Sequence, residues 1–239
     1  MNLLLSCEHG GNRVPPGLVG YFDGPTLALL ETHRGYDPGA LGLALGLKAA
    51  LGAPLFYSKT SRLVVDLNRD GKSPEVFGPS FLAPTCPSEL RPKLLARYHR
   101  PYREKVAQEV AALVAQGPLL HLSVHSFTPV WQGQARKTQV GLLFDPKRQA
   151  ESVLAGLWRQ ALKARLEGYE VHLNRPYKGT SDGLTRTLRR LHPDPGYLGL
   201  ELEVRNDLLT DPRHKGEWIE VVSQTLAQTL ALWEKQELP

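Results

Sequence analysis

Short apolar runs alternate along the chain with longer stretches whose apolar residues recur at helical spacing. The run Asn2–Cys7 predicts a strand, as do Pro54–Ser58, Leu63–Leu67, Leu119–Val124, Gln139–Phe144 and Tyr169–Leu173. Gly199–Val204 is a strand of another kind: Leu200, Leu202 and Val204 fall on one face, Glu201 and Glu203 on the other. Helices are predicted over Thr26–Glu31, over Gly39–Ala50 with Leu51-Gly52 as its stop, and over Leu90–Gln116, Gln149–Glu167 and Lys215–Gln236. Within Leu90–Gln116 the apolar positions are Leu94, Leu95, Val106, Val110, Leu113 and Val114, and Pro101 predicts a kink or a break. Gly71, Pro74, Gly78, Pro79, Pro84 and Pro87 punctuate residues 70–87, which predicts a long irregular excursion of the kind that usually carries function. Strands alternating with helices argue for an α/β fold, a three-layer α/β/α sandwich on a mostly parallel sheet. No repeat, low-complexity tract or linker interrupts the pattern, so one domain is expected over residues 1–239.

Composition narrows this picture without naming a function. Hydrophobic residues make up 41% and charged residues 22%, which excludes a disordered or fibrous chain. No segment approaches about 18 uninterrupted apolar residues, so no transmembrane span is expected. The opening Met1–Gly11 has no basic region and reads as a buried strand rather than a signal peptide; a cytoplasmic protein is expected. Cys7 and Cys86 are too few for a disulfide scaffold and read as small buried hydrophobes. The net charge of +5 favours an anionic partner. Lys and Arg are nevertheless scattered and no nucleic-acid motif is present, so a basic polyanion-binding module is the weaker, non-enzyme alternative.

In a parallel α/β sheet, sites gather at the carboxyl ends of strands. Four places qualify: Glu8-His9-Gly10-Gly11-Asn12; Asp66-Leu67-Asn68-Arg69 with Arg62 just before it; His125-Ser126; and Glu203 with Arg205-Asn206. Two histidines and carboxylates from separate strands suit one ion with an open coordination position, as catalytic zinc requires. A free Glu beside that ion suits a general base, and Arg62 or Arg69 suits an oxyanion or a substrate carboxylate. Plainer readings stand beside these. A lone His after a strand is usually a loop residue, Glu203 reads equally as a solvated strand face, and Asp66–Arg69 reads equally as a salt-bridged turn. His99, His121, His172 and His214 look structural or exposed.

Seven segments in order extend these hints: Ser6–Pro15, Thr32–Ala40, Ser61–Arg69, His125–Val130, Val140–Leu143, Asn174–Tyr177 and Glu201–Leu208. Together they resemble the N-formylglutamate amidohydrolase family and span nearly the whole chain. The resemblance implies a zinc exopeptidase-like (phosphorylase/hydrolase-like) fold with a mixed, mostly parallel sheet. It implies Zn2+ held by His9 and His125, Glu203 as general base and acid, Arg62 as oxyanion stabiliser, and Asn68 with Arg69 as a clamp for the substrate carboxylate; Ser126 and Arg205 join the expected substrate-binding residues. The third residue after His9 is Asn12 where exopeptidase relatives place Glu, so the carboxylate ligand comes from elsewhere. Asp37, at the centre of the second segment, is the first candidate and Glu8 the second; the plain reading of Asp37 is a helix N-cap ahead of Pro38. Glu201 shares a face with Glu203 and is the alternative base. The implied activity is hydrolysis of the amide of a small anionic N-formyl or other N-acyl amino acid, N-formylglutamate leading. A carboxypeptidase-like or aspartoacylase-like deacylase is the alternative. Arg136, Lys137, Arg175, Lys178 and Arg186 are spare cations for a side-chain carboxylate.

Overall fold

A computed structural model describes residues 1–77 and 87–235. In chain order the elements are β1 (Asn2–Cys7), a 3-10 turn (Pro16–Tyr21), α1 (Gly24–Leu29), α2 (Ala40–Leu51), β2 (Leu55–Tyr57), α3 (Leu90–Leu94), a π turn (Leu95–His99) and α4 (Arg100–Val114). There follow β3 (Leu119–Phe127), β4 (Val130–Trp131), β5 (Gln134–Ala135), β6 (Val140–Leu143), α5 (Gln149–Arg165), β7 (Val171–Leu173), α6 (Leu184–Arg189), β8 (Tyr197–Arg205), α7 (Asn206–Thr210) and α8 (Lys215–Lys235). Six strands form one sheet in the order β2-β1-β3-β8-β6-β7, while β4 and β5 form a separate hairpin. Every pairing in the large sheet is parallel except β6 with β8. The mixed, mostly parallel α/β sandwich is therefore the architecture expected.

The two faces of the sheet differ in chemistry. One carries Leu5, Leu122, Leu142, Leu200 and Leu202, packed into a core with Leu43 and Leu47 of α2, Trp158 of α5 and Val222 of α8. The other is covered by α4 and α6 through Leu4, Val106, Val110, Leu184, Leu188 and Tyr197. On this second face the central strands β3 and β8 carry His121, Ser123, His125, Glu201 and Glu203, all buried. The alternation in β8 thus marks a buried polar layer and not a solvated face.

Three expectations need correction. Leu63–Leu67 is not a strand: it is a series of turns, with Val64 N–H donating to Ser61 C=O and Asp66 N–H to Val76 C=O. Its side chains are buried in a satellite core with Leu18, Phe22 and Leu94, so the short apolar run signalled burial and not backbone shape. Leu119–Val124 is too short, since β3 runs on to Phe127 and His125 and Ser126 lie within the strand. Leu90–Gln116 neither breaks nor stays regular. A π turn precedes α4, and Pro101, which lacks an N–H to give, sits in the first turn of α4. Gly52 does end α2, in the left-handed conformation with its N–H on Lys48 C=O. Cys86, and residues 78–86 of the predicted excursion, lie outside the described residues.

Glu151 ties the two layers together. It is fully buried and accepts from Arg189 Nε at 2.9 Å, Gly199 N–H at 3.0 Å and Asp145 N–H at 2.9 Å, which ties α5, α6 and β8 to one carboxylate. Removing one member of a buried ion pair strands the other. Glu151→Ala is expected to lower unfolding stability by about 3–5 kcal/mol, read from the denaturant midpoint at unchanged slope.

Candidate active site

β1 delivers Glu8 and His9 just past its carboxyl end, β3 delivers His125 and β8 delivers Glu203, while the loop before α2 brings Asp37 across. His125 and Glu203 are register partners on adjacent parallel strands, about 4.8 Å apart. Asp37 does not cap α2, whose N-cap is Gly39 in the left-handed conformation with no side-chain cap bond. Its carboxylate turns inward instead: Oδ2 lies 2.8 Å from His125 Nδ1 and 3.4 Å from His9 Nδ1. All three residues are buried, and one ligand atom from each falls within 4.8 Å of the others. The imidazoles are tilted by 59° with centroids 5.2 Å apart.

The far side of each imidazole is held by a further carboxylate. His9 Nε2 is 2.7 Å from Asp66 Oδ1, and His125 Nε2 is 3.2 Å from Glu8 Oε2 and 2.8 Å from Ser123 Oγ. These contacts orient both Nδ1 atoms toward one point, the arrangement that metal-ligating histidines generally show. The carboxylates are anchored in turn. Arg62 donates to Asp66 Oδ2 from Nη2 at 2.7 Å and from Nε at 3.1 Å, Tyr102 donates its hydroxyl to Glu8 Oε1 at 3.0 Å, and Ser123 donates to Glu8 Oε2 at 2.6 Å. Glu8 therefore stands behind His125, while Asp37 faces the cluster.

Electrostatics follow this packing. Burial alone would push Asp37 up, but the charges and hydrogen bonds of His9 and His125 outweigh it and hold its carboxyl well below the usual range. Burial opposes a proton on His125, yet the hydrogen bonds and charges of Asp37 and Glu8 raise its pKa well above the ordinary value. Glu203 shows the reverse. Burial, with help from Asp37 and Glu201 and against His125, pushes it up to about 8. Its Oε2 is buried with no hydrogen-bond partner among the described residues. Glu201, one pleat repeat earlier, accepts from Thr185 Oγ1 at 2.6 Å. Gly141 of β6 faces Glu203; a Cβ there would lie 3.4 Å from the Cβ of Glu203 and 2.0 Å from the carbonyl oxygen of Arg175, so only glycine fits.

The remaining candidates make other contacts. Asn68 Oδ1 accepts from Leu184 N–H at 2.8 Å. Arg69 donates to Asp182 C=O at 2.8 Å and pairs with Glu75 at 3.3 Å. Ser126 donates to Pro38 C=O at 2.7 Å, pinning the loop that carries Asp37, and Arg205 pairs with Asp207 at 2.8 Å. Arg62 keeps Nη1 3.6 Å from Asp37 Oδ1, and its side chain is 26% exposed, so it touches both the cluster and the opening. His121 belongs to the same polar layer, between Ser6 Oγ and Tyr197 OH, and burial lowers its pKa to about 4. Tyr102 and Ser123 carried no signal in the sequence, while Asp66 stood in view inside its motif as a turn residue. A cavity of about 510 Å3 lined by Asp70, His99, Arg103 and Leu184 among others contains none of the cluster residues.

No helix among the described residues is long and apolar enough to cross a membrane. No curated protein matches the chain significantly in sequence. Among solved structures, a gene product of Agrobacterium tumefaciens is 28% identical, with a TM-score of 0.82 over 98% of this chain and 92% of its own. The N-formylglutamate amidohydrolase of Ralstonia eutropha, 19% identical with a TM-score of 0.67 over 98% of this chain and 94% of its own, shares the fold. The sequence model described as N-formylglutamate amidohydrolase matches residues 1–210, the span that holds every cluster residue. The chain thus belongs to the N-formylglutamate amidohydrolase family and is a hydrolase of amide bonds.

Proposed function

We propose that the protein is a zinc-dependent amidohydrolase that releases formate, or another small acid, from an N-acylated amino acid, with N-formylglutamate the leading substrate. One observation carries the reading: two buried imidazole Nδ1 atoms and a carboxylate oxygen converge on one point, and each imidazole is buttressed from behind by its own carboxylate. Two nitrogens and one oxygen suit zinc with a position left for water. His9, Asp37 and His125 would hold the ion. Bound there, zinc supplies a water of lowered pKa and a Lewis acid for the amide carbonyl.

The chain's own groups do the rest. Glu203 is adjacent to His125, buried, and has an oxygen with no competing donor among the described residues. It takes a proton from the attacking water and returns it to the amine nitrogen as the C–N bond breaks, so water and amide become acid and free amine. Arg62, fixed by Asp66, offers Nη1 to the developing oxyanion. Glu203 is buried in the polar layer, which strengthens its interactions, while Arg62 reaches from the cluster toward solvent. The reading is tested on protein purified without chelator. About one zinc per chain is expected, with formate released from at least one member of a panel of N-formyl amino acids. Folded, zinc-loaded protein that cleaves no N-formyl or N-acetyl amino acid would overturn it.

A further inference from the structure

The sequence offers many cations for a substrate carboxylate, and the structure separates them. Arg62 is paired with Asp66 and faces Asp37, Arg69 is paired with Glu75, and Arg205 is paired with Asp207. Lys137, Arg175, Lys178 and Arg186 are exposed. Arg136 differs from all of these. Its guanidinium is half-buried among three rings, 5.3 Å from the centroids of Phe127 and Trp131 and 5.2 Å from that of Tyr177. Its polar contacts are neutral: Tyr177 OH at 3.2 Å and Thr128 C=O at 3.4 Å. Among the described residues it enters no ion pair. A positive charge held in place by ring faces, with no counter-ion, is prepared for an anion from outside.

Topology puts this cation at the mouth of the site. β3 carries His125 and ends at Phe127; the chain then makes the hairpin of β4 and β5 and returns as β6, whose Gly141 pairs with Glu203. The hairpin turns through Gln132 (φ 49°) and Gly133 (φ 76°), two left-handed residues that make a tight turn. Arg136 N–H closes back on Pro129 C=O at 2.8 Å. His33, from the segment that carries Asp37, packs edge-on against Trp131 at 6.0 Å. Tyr177 contacts Arg136 directly, and burial with the charges of Glu203 and Asp37 raises its pKa against Arg136. Val130, Trp131 and Tyr177 are among the exposed large hydrophobic residues, and the rings of Trp131 and Tyr177 both flank Arg136.

We propose that Arg136, in its cage of Phe127, Trp131 and Tyr177, binds a carboxylate of the substrate and is the specificity-determining residue of this enzyme. This rests on the site hydrolysing an N-acyl amino acid. The planar fork meets the carboxylate in a two-point contact, and the ring faces leave it few other orientations. The amide is thereby aimed at Glu203.

The test compares N-formylglutamate with its two monoamides, N-formylglutamine, which keeps the α-carboxylate, and N-formylisoglutamine, which keeps the side-chain one. The native enzyme is expected to lose about 10- to 100-fold in kcat/KM on one of the two, and which one falls tells the α-carboxylate from the side-chain carboxylate. Arg136→Gln should lose that preference through a raised KM at unchanged zinc content, and Arg136→Lys should recover part of it. Arg136→Gln with native KM and native discrimination overturns the proposal. If Arg136→Gln does not fold, Arg136→Lys decides in its place: native KM and discrimination in that variant overturn the proposal. Should the native protein cleave no N-acyl amino acid, the hydrolytic reading fails and Arg136 is judged separately. Trp158, Trp218 and Trp233 are buried while Trp131 is exposed, so its fluorescence reports glutarate at the cage. Glutarate binding that weakens at least about tenfold in Arg136→Gln supports the anchor; equal binding, or none in either protein, overturns it.

Discussion

Glu203→Gln is expected to lower kcat by about 10²- to 10⁴-fold, the usual contribution of a positioned general base. Glutamine has the shape of glutamate but cannot take and return a proton. KM should change little, because Glu203 is not among the groups placed to bind the substrate's charge. Zinc should stay bound, because the three converging ligand atoms belong to His9, Asp37 and His125. Glu201→Gln is the control: its carboxylate already accepts from Thr185, and activity should stay within a few-fold of native. If the two results were exchanged, the base would lie one pleat repeat earlier. A second readout needs no substrate. In chelator-treated protein the Glu203 carboxyl has its pKa raised by burial from 4.5 to about 8. Between those values the folded state keeps a proton that the unfolded state has lost, so stability falls as pH rises through the window. Glu203→Gln removes this contribution. The variant should therefore gain on the native protein in melting temperature from about pH 4.5 upward and level off near about pH 8.

Losing either imidazole should have an effect of similar size by a different route. His125→Ala and His9→Ala are each expected to abolish stoichiometric zinc and, with it, activity that added zinc does not restore. Asp66→Asn should be milder, since it leaves the ligand atoms in place and loosens only the orientation of His9, costing about 10- to 100-fold in zinc affinity. Titration makes the same point. Asp37 and Glu8 raise the pKa of His125, and Asp66 and Asp37 raise that of His9, each against burial and, for His9, against Arg62. An ion must displace those protons, so zinc uptake should release protons and weaken as pH falls. Calorimetry in buffers of different ionisation enthalpy measures the release. Uptake without proton release, or full zinc content in both alanine variants, would place the metal elsewhere.

Much of this was legible from spacing. His9 follows a strand that the opening apolar run predicts, and alternation put Glu201 and Glu203 on one face of β8. What spacing could not supply was which strands are neighbours. The pairing of His125 with Glu203 joins residues far apart in sequence, and only the register of β3 on β8 makes them adjacent. The same limit explains Leu63–Leu67, where local hydrophobicity reported burial in a satellite core and said nothing of the turns that aim Asp66 at His9. It explains the arginines too. A sequence lists cations without their partners: the motif singled out Arg69, which lies against Glu75, and left Arg136, which lies against three rings, among the spare cations.

The β3–β8 ladder has a further consequence for how the enzyme fails. Side chains on a strand alternate between faces, so slipping one strand by a single residue would send Glu203 into the leucine layer and bring Val204 beside His125. A slipped ladder separates the proposed base from the proposed metal ligand beside it. On heating, inactivation should coincide with collapse of the central sheet, with no cooler step at which the fold persists and the activity has gone.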